Sequence, residues 1–182
     1  MMWKQSKKWL MVMATSFGLT ACASVDIQSY AHKEPKFDLF QFFSGKTYAW
    51  GQFQDRSGEV IRRFTVTIDG QVKGDQILLD ERFIYDDGEQ EQRVWTIRKN
   101  AQGQYIGTAG DVIGEAQGIS AGNAFNWRYV LDLPYKKSSI HVTFDDWMFM
   151  HTPNTMMNKA EVTKFGFKVG EVTLFFSKQE IR

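Results

Sequence analysis

Residues 140–150 read IHVTFDDWMFM, and two adjacent carboxylates interrupt an otherwise apolar and aromatic run. In a strand, successive side chains point to opposite faces. Val142, Phe144, Asp146 and Met148 then share one face, and His141, Thr143, Asp145 and Trp147 share the other. The first set is the more apolar. The alternation therefore assigns Asp146 to the interior and Asp145 to the exterior.

The same period-two pattern recurs on both sides of this segment. It is present in VIRRFTVTI (60–68), QILLDERFIY (76–85), RVWTIR (93–98), FNWRYVLDL (125–133) and VGEVTLFF (169–176). Turn signals fall between such segments at Asp55–Gly58, Asp69–Gly70, Asp86–Gly88, Asn100–Gly103, Pro134–Lys137, Thr152–Asn154 and Gly166–Gly170. Beyond the first 22 residues no stretch keeps a sustained helical period. This predicts an all-β fold, an antiparallel up-and-down β-barrel of eight to ten strands, because closure removes exposed strand edges. FDLFQFF (37–43) places Phe37, Phe40 and Phe43 three apart, as in a short N-terminal helical plug. Gly107, Gly110, Gly114, Gly118 and Gly122 predict strands bent sharply at barrel corners.

The chain begins with Lys4, Lys7 and Lys8, followed by an uncharged stretch from Trp9 to Ala21. That is the layout of a secretory leader, and it is too short for a stable membrane span. Leu19-Thr20-Ala21-Cys22 resembles a bacterial lipobox, in which cleavage precedes the cysteine and the cysteine is acylated. Cys22 is the only cysteine, and lipidation accounts for it. The expected organisation is a signal peptide over 1–21, lipidated Cys22 and a polar tether over 22–36, and the barrel domain over 37–182. More than one acyl chain on Cys22 gives stable anchoring. The residue after Cys22 is Ala23, not Asp. In lipoproteins of Gram-negative type, which this resembles, that implies the periplasmic face of the bacterial outer membrane. Removing the leader takes away three lysines and no acid, so the formal charge of +1 becomes −2. A near-neutral chain gives no electrostatic case for nucleic acid.

FFSGKTYAWGQFQDRSGEVIRRFTV, LLDERFIYDDG, GTAGDVIGEAQG, FDDWMFM and KFGFKVGEVTLFF together resemble the DUF3833 family of uncharacterised bacterial lipoproteins. The resemblance runs from about Phe37 to Lys178 and implies a periplasm-facing lipoprotein with no established activity. Phe42 to Tyr48 is also distantly similar to the entry into the first strand of lipocalin-like (calycin-like) barrels.

Strand parity extends to the other charged residues. Arg62 aligns with Val60, Phe64 and Val66; Glu81 with Leu79 and Phe83; Arg93 with Trp95; Asn158 with Met156 and Ala160. Buried ions are costly unless paired. The expectation is one balanced interior network of Arg62, Glu81, Arg93 and Asp146, with Asn158 near it. Such a network either fixes strand register or forms the polar floor of a cavity. In the second case Phe64, Phe83, Trp95, Trp127, Phe144 and Met148 make the apolar pocket, and Arg62 or Arg93 meets a polar head.

Motifs for chemistry are sparse. Parity separates Asp145 from Asp146, against a glycosidase pair. His32, His141 and His151 lack metal-ligand spacing, and no G-x-S-x-G elbow occurs. No catalytic residue, metal or cofactor is assigned. The expected function is binding of a hydrophobic or amphipathic ligand, such as a fatty acyl lipid. The alternatives are a filled barrel with a structural or interaction role, or a lipid-acting hydrolase or isomerase.

Overall fold

The computed structural model describes residues 25–135 and 137–180. The leader, its boundary at 21/22 and the lipidation at Cys22 lie outside the described residues. Ten antiparallel strands close into one up-and-down barrel: β1 (Gly45–Asp55), β2 (Val60–Lys73), β3 (Gln76–Tyr85), β4 (Gln90–Lys99), β5 (Tyr105–Thr108), β6 (Ala116–Ala121), β7 (Ala124–Tyr135), β8 (Ser138–Thr152), β9 (Thr155–Lys164) and β10 (Phe167–Ser177). Each strand pairs with its chain neighbours, and β1 pairs with β10 to complete the closure.

One end of the barrel is stoppered. The helix α1 (Leu39–Phe43) begins at Asp38, whose carboxylate accepts from the Gln41 amide at 3.0 Å. Five residues cannot sustain a helix by propensity, so packing holds it. Leu39, Phe42 and Phe43 are buried, Phe43 packs edge-on against Phe176, and Phe37 stacks on Phe125 with centroids 4.7 Å apart. Met150 and Met156 fill the same end.

The Asp69–Gly70 turn expectation is corrected. β2 runs through it to Lys73, and the reversal falls at Gly74. Gly70 lies under the plug, where a Cβ would overlap the Phe43 carbonyl oxygen. Its glycine serves close approach and not a turn. The corner reading of the glycine-rich segment also changes. Gly107 in β5 and Gly118 in β6 lie beside the Trp127 indole, which occupies the space their side chains would have taken.

Within the stretch read as a polar tether, residues 27–30 lie against the barrel. A 3-10 helix, Ile27–Tyr30, docks on the outer wall, burying Ile27 and setting Tyr30 against Trp147 and Phe149. The Phe37 amide donates to the Gly122 carbonyl at 2.7 Å. Aromatic side chains on the outer face of β8 need cover, and this segment supplies it.

The wall is uneven. β4 and β5 share four residue pairs, and β5 and β6 share three, whereas β7 and β8 pair from Ala124↔Phe149 to Tyr135↔Ser138. Beside the upper half of β4 the wall is completed by residues 109–115. That segment bonds to β7 through Ile113 N to Val130 O and Asp132 N to Asp111 O.

Candidate functional site

The barrel encloses a cavity of about 690 Å³ that lies above the plug. Its wall includes Phe64, Phe83, Trp95, Trp127, Phe144 and Met148, together with Arg62, Glu81, Arg93, Asp146 and Asn158. One apolar cluster fills the plugged end, and a second, around Leu131, Val142 and Val162, lies toward the open end.

A polar belt crosses the wall at mid-height. β3 and β4 set Glu81 opposite Arg93, and the two side chains approach to 4.0 Å. The Arg93 guanidinium also grips both oxygens of Asp111, Nε donating to Oδ1 at 3.1 Å and Nη2 to Oδ2 at 2.7 Å, a fork geometry that carboxylates favour. Across the barrel, Asp146 on β8 accepts from Asn158 on β9 and from the Tyr129 hydroxyl on β7. Asp145, one residue away on the outer face, is bound instead by Arg128 and Asn126, both at 2.6 Å.

Burial dominates the electrostatics. It pushes the Glu81 carboxyl up to about 7, against the opposing pull of Arg93 and a bond from Trp95. It pushes Asp146 up to about 7 as well; the Asn158 bond opposes this and the charge of Glu81 adds to it. Arg93 keeps its proton: burial weakens its hold, but the carboxylates of Glu81 and Asp111 more than compensate.

The single balanced network of the sequence reading is corrected on one point. Arg62 faces the cavity but is not in the belt. It lies at the mouth, stacked 3.5 Å over the Tyr85 ring and paired with Asp87 and Glu89. Ile68 is the β2 residue opposite Glu81, six residues from Arg62. At roughly 3.3 Å per residue that is about 20 Å along the strand. Parity gives the face of a residue, not its height. The belt therefore holds one arginine against three carboxyls, those of Glu81, Asp111 and Asp146.

Two belt residues escaped the sequence reading. Tyr129 follows Trp127 by two in FNWRYVLDL, so the alternation carried its signal. Asp111 lies outside any strand, and no periodicity marks it.

A closed antiparallel barrel, plugged at one end and hollow above, defines a calycin-like fold with an interior cavity. The chain belongs to the DUF3833 family, proteins of unknown function, whose model matches residues 16–178. No curated protein matches it. Among solved structures it is similar to an S-type phycobiliprotein lyase from Guillardia theta, with a TM-score of 0.57 and 11% identity over 79% of this chain and 92% of that one. It is also similar to a DUF3598-family protein of unknown function from Nostoc punctiforme, with a TM-score of 0.58 and 10% identity. That match covers 81% of this chain, which spans about half (51%) of the Nostoc protein. At such identities the likeness concerns the fold.

Proposed function

We propose that this protein is a lipid-anchored receptor or carrier at the periplasmic face of the bacterial outer membrane. It binds a hydrophobic or amphipathic small molecule, such as a fatty acyl lipid, inside the barrel. The observation that carries this reading is the cavity, whose volume of about 690 Å³ falls within the roughly 300–1,000 Å³ of ligand pockets and whose wall is mostly apolar with a few convergent polar groups. A barrel serving only as structure needs no such space, so the volume favours binding over the filled-barrel reading.

Two further features agree with a membrane-side role. The leader and Cys22 have the layout of a lipoprotein signal. At the open end, the β9–β10 hairpin tip exposes Phe165 (89%) and Phe167 (77%), flanked by Lys164 and Lys168. Exposed aromatics beside lysines suit a lipid interface, and an amphipathic ligand would enter from there.

Native mass spectrometry of residues 23–182, expressed in the periplasm without the anchor, tests the binding reading. An adduct that survives purification and leaves on denaturation is the expected result. A clean apo mass with no uptake from lipid extract would count against it.

A further inference from the structure

We propose that the polar belt receives a cationic head, the protonated amine of an alkylamine-type amphiphile, and not the carboxylate of a fatty acid. This rests on the reading of the cavity as a ligand site and names the chemistry of its polar end.

The first argument is a count of charges. Each cavity arginine is already paired with two carboxylates. Arg93 spends Nε and Nη2 on Asp111 and turns Nη1 toward Glu81. Arg62 is hydrogen-bonded through Nη2 alone and its buried Nε is unpartnered, but Asp87 and Glu89 already match its charge. A carboxylate head at Arg93 would have to displace Asp111 while sitting beside Glu81. In the belt, Asp146 has only neutral hydrogen-bond partners, Asn158 and Tyr129, and it feels the charge of Glu81. The site is short of positive charge.

The second argument is independent of charge. Asn158 is 2% exposed, lines the cavity, and its Oδ1 is a buried acceptor without a partner. A buried acceptor left unmade costs free energy, and a ligand with N–H groups relieves that cost. An ammonium brings three donors and no acceptor. It fits a belt that offers carboxylate and amide oxygens. The apolar wall around Trp95, Trp127 and Phe144 takes the alkyl chain.

The test compares three twelve-carbon probes of one chain length: dodecylamine, laurate and dodecanol. Each is titrated below its micellar concentration against residues 23–182, with tryptophan fluorescence and calorimetry as readouts. That form is suitable because every strand pairing closes within residues 45–177. At pH 7.5 dodecylamine should bind roughly ten-fold or more tighter than laurate. Asp146→Asn should erase that preference. Asp145→Asn, on the outer face next door, should keep it. Glu81→Gln is the second interior variant if Asp146→Asn fails to fold by circular dichroism. Raising the pH from 5.5 to 7.5 should strengthen amine binding and weaken laurate binding, since Glu81 and Asp146 ionise there beside Arg93, Asp111, Tyr129 and Asn158. Laurate binding as tightly as the amine would overturn the cationic head while leaving the cavity reading intact. Equal loss of amine binding in Asp145→Asn and Asp146→Asn would overturn it too, by marking surface adsorption. Failure of all three probes to bind would overturn both readings.

Discussion

Asp145 and Asp146 are chemically identical neighbours with opposite surroundings, and the difference comes from which way the strand points each one. Asp145 meets an arginine at the outer surface; Asp146 lies in the belt, and burial raises its proton affinity. A stability prediction follows with a definite sign. Glu81 and Asp146 have ordinary values of 4.5 and 3.8 and folded values of about 7. Between those limits the folded state holds more protons than the unfolded one. Their contribution is therefore complete below about pH 4 and is lost as pH rises through 7. Asp80, held low first by its Gln92 bond, and Asp87, held low first by the Glu89 amide, act in the reverse sense below pH 4. The urea midpoint should fall between pH 5 and pH 8, and the Glu81→Gln/Asp146→Asn double variant should flatten that fall. A wild-type midpoint that holds steady or climbs across the window would contradict the assignment. Face assignments of this kind were legible in the sequence because alternation is a local property. The heights were not: the level at which Arg62 sits depends on where β2 turns, and Gly70 disguised that point.

Among the elements, hairpins and plug have different origins. The plug forms because Phe37, Leu39, Phe42 and Phe43 find a barrel end to fill, and the three-residue spacing of Phe37, Phe40 and Phe43 announced a helical turn there. The β9–β10 tip is the opposite case. Phe165 holds a left-handed backbone, φ +51°, at a position where glycine is the usual choice, and its ring is almost wholly exposed. Nothing in the fold of this element needs that ring. Replacing Phe165 and Phe167 by serine should leave the unfolding free energy within about 0.5 kcal/mol, as for surface positions generally. The same change should reduce sedimentation of residues 23–182 with anionic phospholipid vesicles. Unchanged vesicle binding would remove the tip from the membrane-side reading. The docked segment at Ile27–Tyr30 was hidden from sequence because its polarity reads as linker. The outward aromatics of β8, the buried Ile27 and the Phe37–Gly122 backbone bond explain why it stays against the wall.

For the whole molecule, the uneven wall has a mechanical consequence. A hooped vessel parts first where its staves overlap least, and here that place is the run through β5 and β6, with the Arg93–Asp111 clasp above it. Local openings in proteins concentrate where few contacts must break. Amides of β5 and β6 should accordingly exchange with deuterium well before those of β7 and β8, and Asp111→Ala should widen that difference by releasing the clasp. Uniform exchange around the barrel would refute this picture. Breathing at that line would let the interior swell sideways while the other staves keep their register. A guest bulkier than the resting mouth would then have a second way in, and its size would be limited by how far the Arg93–Asp111 and Arg98–Glu115 pairs let the wall give.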